Sequence, residues 1–276
     1  MTRVILALAL MIGLVGCEAV QQGLGEIDRT RVAEVQAVYD ADFRSAVAAD
    51  GVGVRAGRFD RTLAALPSDT SGLSPAVSGF YTLLEGLVYL QTGQLGQASV
   101  IAPEVTNVAS SLRADGIARR NAILAENFAD LVAAREAEAS LAELTGNSAS
   151  DTSQRAAVVR DIEARGRAVT QRLCRTNAGA GDEGSAFVAA YQATAFVQAD
   201  RALQRVCLPT AKDGELCPGF LGGRKQLMDA RNLMAAFATP LTGASSQIAN
   251  IQTNIERELV ANQDGAPLDP PVTPCG

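Results

Sequence analysis

The chain has 276 residues, with 24 basic and 30 acidic side chains, a net charge of −6 and a pI near 4.9. Apolar residues make up 47% and charged residues 20%, the balance of a globular protein with a real core. The acidity excludes a nucleic-acid binder, which needs a basic footprint, and the lack of any His excludes Ser-His-Asp and Cys-His nucleophiles and most zinc sites.

In chain order, Arg3 precedes an apolar run from Val4 to Ile12, and Leu14-Val15-Gly16-Cys17 follows. One basic residue, a short apolar core and small residues before a cut make a secretory leader. The run is well short of the ~20 residues that a membrane span needs. The four closing residues resemble the lipobox of bacterial lipoproteins: Leu, a small residue, Gly or Ala, then Cys. The resemblance implies a signal peptide of residues 1–16, diacylglycerol thioether-linked to Cys17, and acylation of the new amine. An ordinary signal peptide or an uncleaved anchor is the alternative. Loss of Arg3 leaves the body more acidic still, so acyl chains rather than charge would hold it on anionic lipid. Glu18 is not the Asp that resembles an inner-membrane retention signal. The expected location is the inner leaflet of the outer membrane, facing the periplasm.

Residues 17–25 are a short polar tether, which keeps the folded body close to the bilayer. An N-terminal helical hairpin region is expected over 26–146. Ile27, Val35, Val38, Tyr39, Ala46 and Val47 recur at helical steps, and Gly51 and Gly53 end that helix. Two segments then match. Gly57 and Gly93, and likewise Pro67 and Pro103, share an offset of 36 residues, with an apolar and a small residue between them. Gly86 and Tyr89 precede the second copy. The pattern resembles the tetratricopeptide repeat, a helix-turn-helix unit of 34 residues. In that reading Gly86 and Ala98 let two antiparallel helices approach closely. The other reading is two ordinary helical hairpins with Gly as helix-stop chemistry.

Ser74-Pro75 starts a helix that runs to Gln91, because Ser caps and Pro fits the first turn. A short helix is expected after Pro103. A longer one is expected over 116–144, with Ile117, Leu124, Phe128, Leu131 and Val132 inward and Arg135, Glu136, Glu138 and Glu143 solvated. The polar stretch 146–153 is the clearest break. A C-terminal helical bundle is expected over 147–262. Its helices cover 153–173, with Val158, Ile162, Val169 and Leu173 inward, then 185–206, then a segment from Gly223 carrying Leu227, Met234 and Phe237. The last is striped by Ile248, Ile251, Ile255 and Leu259. Residues 263–276 hold four prolines and form an extended tail. No segment alternates as a strand does, so the expected fold is all-α: tetratricopeptide-like hairpins followed by a bundle.

Four cysteines remain once Cys17 is assigned: Cys174, Cys207, Cys217 and Cys275. An even number in an exported chain points to two disulfides. The nine residues between Cys207 and Cys217 are too many for a zinc knuckle. Cys174 and Cys207 end successive helices, and an antiparallel hairpin puts them roughly 30 Å apart, far beyond the ~6 Å of bridged Cα atoms. The favoured pairing is Cys207–Cys217 with Cys174–Cys275, since the tail after Asn262 spans roughly 40 Å when extended. Cys174–Cys217 with Cys207–Cys275 is the second choice.

Gly179-Ala180-Gly181-Asp182-Glu183-Gly184 fits G-x-G-x-x-G, but a helix rather than a strand precedes it, and two acids sit where a pyrophosphate would need neutral donors. The spaced oxygen ligands of a calcium loop are absent, and Thr210-Ala211-Lys212 is not Ser-x-x-Lys. No catalytic residue, metal or cofactor is expected. The expected role is a lipid-anchored periplasmic scaffold that holds other envelope proteins during assembly or secretion. The alternatives are a bundle that binds a small apolar ligand such as lipid, and a cell-wall hydrolase.

Overall fold

A computed structural model describes residues 28–43, 45–46, 59–114, 117, 119–146, 152–175, 183–207, 218–237, 246–261, 270–272 and 274–275. Among these the chain is all-α, without a strand. Helix α1 covers residues 28–43. It is followed by α2 (Asp60–Ala65), α3 (Pro75–Gln91), α4 (Leu95–Ala114) and α5 (Arg119–Gly146). Then come α6 (Thr152–Arg175), α7 (Glu183–Cys207), α8 (Pro218–Phe237) and α9 (Ser246–Ala261). The break at 147–151 and the tether lie outside the described residues.

Local chemistry sets several ends. Ser74 Oγ accepts the Val77 N–H at 3.3 Å, and Pro75 takes the first turn of α3, as the sequence implies. At the other end Gly93 adopts φ +74°, and the Gln94 N–H reaches back to the Tyr89 carbonyl at 2.9 Å. That left-handed step satisfies a carbonyl the helix would leave open, and only Gly takes it without strain. It turns α3 back along α4. Gly86 lies at the resulting crossing. A β-carbon there would stand 2.8 Å from Phe128 Cζ and 3.2 Å from Val105 Cγ2, so its lack of a side chain admits both α4 and α5. Ala98, the other small residue expected at the crossing, is fully buried.

The two matched segments take different forms. Gly57 lies outside the described residues. Pro67 follows the six-residue α2, whereas Pro103 lies inside the twenty-residue α4. The short helix expected after Pro103 is therefore part of one longer helix. Proline lacks the N–H that would reach the Ser99 carbonyl, but both residues are exposed, so water can take that carbonyl. Ala102, Val105, Ala109 and Leu112 carry the buried stripe past it. Helix α8 likewise starts at Pro218, ahead of the expected Gly223.

Helix α5 is central, packed against α3, α4, α6 and α7. Its expected apolar face is buried, with Leu124, Phe128, Leu131 and Val132 in the core. Of its expected solvated face, Glu136 and Glu143 are exposed, but Arg135 and Glu138 are buried and paired at 2.7 Å. Helix α7 packs against α5, with Tyr191 close to Arg135, so this side too is enclosed and its opposite charges are paired. The buried apolar residues form one contiguous cluster from Val35 to Leu259. The α9 stripe enters it through Ile251, Ile255 and Leu259.

Polar contacts dock α1. Asp42 is buried, and its Oδ2 accepts the Thr62 N–H at 3.0 Å and the Thr62 hydroxyl at 2.8 Å. Phe59, at the N-cap of α2, offers no side-chain cap, so Asp42 caps that helix from a distance. Asp40 pairs with Arg120 at 2.9 Å, and Asn121 donates to Gln36 at 3.1 Å. Tyr39 and Tyr191 face each other in the interior, and burial pushes both hydroxyl pKa values above the ordinary tyrosine range.

Candidate functional site

The chemistry-bearing surface with most structure behind it is a half-open groove of about 360 Å³ between α6, α8 and the C-terminal tail. Its floor is set by Gly166, in the middle of α6. A β-carbon there would collide with Phe196 Cζ, so the bare backbone lets the α7 ring lie against α6. Thr170 and Gln171 extend the α6 wall, and Thr170 Oγ1 donates to its own helix at the Gly166 carbonyl, 2.7 Å. Lys225, Asp229, Asn232 and Leu233 form the α8 wall at helical spacing. Val272 and Pro274 form the third wall.

Among the described residues the tail is held at two points. Asn232 Oδ1 accepts the Val272 backbone N–H at 2.9 Å. Cys275 is joined to Cys174, in the last turn of α6, with Cα atoms 5.4 Å apart. The tail therefore crosses from α8 to α6. This is the favoured pairing for Cys174 and Cys275, to which helix geometry and the tail's length pointed. It corrects the second choice, because Cys174 cannot also bridge Cys217. Cys207 closes α7, but its side chain, and Cys217 altogether, lie outside the described residues, and so does any bridge between them. Cys17 and its leader lie outside them too.

Charge at the groove is balanced rather than one-signed. Glu163 on α6 accepts from Gln226 Nε2 and from Lys225 Nζ at 3.1 Å, with Arg167 Nη1 at 3.9 Å. Its carboxylate is thus engaged in joining α6 to α8. Asp229 does line the groove. Burial, which disfavours the ionised form, raises its pKa above the ordinary value, with Lys225 opposing. One acid on the wall and a second one held by three donors do not make the facing carboxylate pair of a glycoside hydrolase. Charged walls also suit an acyl chain poorly. The groove offers one amide directed at backbone, Asn232, a small apolar floor and paired charges, a set suited to an extended polypeptide.

Among the described residues no helix is long and apolar enough to cross a membrane. None of them forms a cluster of three or more metal-binding side chains. The G-x-G-x-x-G letters fall between α6 and α7, with Glu183 and Gly184 already in the first turn of α7. Sequence reasoning missed the groove because its walls come from three distant segments. Gly166 in mid-helix was the available signal, since a glycine there costs about 1 kcal/mol relative to Ala unless packing needs it. No family model matches the chain, and no curated protein or solved structure matches it significantly.

Proposed function

We propose that the chain is a lipid-anchored scaffold of the bacterial envelope that holds extended segments of partner proteins in the α6–α8 groove. The leader from Arg3 to Cys17 supports export and anchoring. The short tether would keep the groove close to the membrane. One observation carries the binding role: the chain's own tail is laid across two helices, with its Val272 backbone N–H donated to Asn232 on α8 and Cys275 joined to Cys174 on α6. Recognition of a backbone amide is indifferent to sequence, as a scaffold for several partners requires.

The test is site-specific photo-cross-linking in intact cells. A photoreactive residue replaces Gln171, which is exposed at the groove, or Val100, which is 83% exposed on α4. The proposal predicts protein adducts from position 171 and none from position 100, and their loss when Cys17→Ser removes the anchor. Equal adducts from both positions would refute a groove-specific role, and adducts that survive Cys17→Ser would refute anchoring.

A further inference from the structure

One wall of the groove is itself a polypeptide, the tail laid across α6 and α8, and the way it is held says what that seat would accept. Pro270 and Pro271 precede Val272, and Pro274 follows it. Proline fixes φ at all three positions, so this stretch loses little backbone entropy on docking. Its one described anchor inside the groove is a backbone N–H donated to Asn232 Oδ1. Val272 and Pro274 line the groove together with Phe196 and Leu233, both almost wholly buried. Yet Val272 itself remains 65% exposed, so the tail borders the groove without filling it.

The second anchor is covalent. The disulfide ties Cys275 to the end of α6 across a sequence separation of 101 residues. A segment fastened on both sides of its seat is present at a very high effective concentration, and an identical free segment competes poorly with it. Cys275 is the more exposed of the two cysteines, and Cys174 is half-buried.

Building on the scaffold reading, we infer that the tail is a latched occupant of a seat between α6 and α8 whose ligand is an extended, proline-bearing segment of another protein. The Cys174–Cys275 disulfide is the latch. An external dithiol opens it: its thiolate attacks Cys275 Sγ, Cys174 Sγ leaves as the thiolate, and the second thiol resolves the mixed disulfide. The dithiol becomes a disulfide, and the protein gains two thiols. Among the described residues the tail then keeps only its hydrogen bond to Asn232, and it yields to a segment arriving from outside.

The probe is a fluorescent peptide with the sequence of residues 268–274, measured by anisotropy against the full mature chain. The paired variant Cys174→Ser with Cys275→Ser should bind it at least about tenfold more tightly than the oxidised wild type. Adding Asn232→Ala should weaken that binding at least about fivefold, the loss of one hydrogen-bond acceptor. Should the paired variant lose its helical circular dichroism, Val272→Pro decides instead. It removes the docked N–H with the disulfide intact, and it should raise peptide binding above the wild type. Equal binding to latched and unlatched chains would overturn the latch while leaving groove recognition standing. No binding to any folded form would overturn both.

Discussion

Replacing Asp42 with Ala should loosen α1 from the body that it introduces. The carboxylate is 1% exposed and serves two donors of Thr62, itself fully buried. Removing it strands the Thr62 N–H, which is the third helical amide of α2 and has no other acceptor in that helix. A stranded buried donor costs about 1–3 kcal/mol, and the hydroxyl adds to this unless it rotates to another acceptor, giving a loss of about 2–4 kcal/mol. Arg61 also pairs with Asp42 but is 66% exposed, so Arg61→Ala should cost no more than about 0.5 kcal/mol. Asp42→Asn keeps one acceptor oxygen and should cost about 1–2 kcal/mol. Urea unfolding of residues 18–276, followed by far-UV circular dichroism, measures all three. The reasoning fails if Asp42→Ala is neutral, or if Arg61→Ala costs as much as Asp42→Ala.

Other outcomes follow from single sites. Gly166→Ala gains about 1 kcal/mol of helix propensity, but overpacking against the buried Phe196 ring costs about 1–3 kcal/mol, so the variant should be net destabilised in the same unfolding assay. Both amide atoms of the fully buried Gln91 lack a hydrogen-bond partner among the described residues. Gln91→Met should therefore stabilise the protein by about 1–2 kcal/mol, and a loss instead would mean that the amide is satisfied in solution. Asp229 has a folded pKa above its ordinary value of 3.8, so the folded state binds the proton more tightly and stability declines as pH rises from 3.8 through the folded value. Asp229→Asn should abolish that decline, which a series of urea titrations across the acid range would show.

What was legible in the sequence is local. Ser74-Pro75 marks the start of α3, because capping and proline chemistry are decided within one turn. The Ile251, Ile255 and Leu259 stripe marks a buried face, because the helix period alone places those side chains together. What was not legible depends on partners distant in the chain. Arg135 and Glu138 look like a solvated face until α7 is laid against α5. Pro103 looks like a helix end until its turn proves to face outward. Asp42 carries no local sign that it caps a helix eighteen residues further on. The groove is the extreme case, with walls from α6, α8 and the tail. Only the bridge between Cys174 and Cys275 was within reach, because a tail's length bounds where its cysteine can go.

The measurement closest to the central claim joins the two halves of the account. Cells carrying a photoreactive residue at position 171 are permeabilised and irradiated with and without an excess of the 268–274 peptide. If the groove holds extended partner segments, the peptide removes the adducts in proportion to its occupancy, and more readily in the Cys174→Ser, Cys275→Ser chain than in the oxidised one. Adducts that persist at saturating peptide would contradict the claim, because the partner would then be held somewhere other than the seat of the tail.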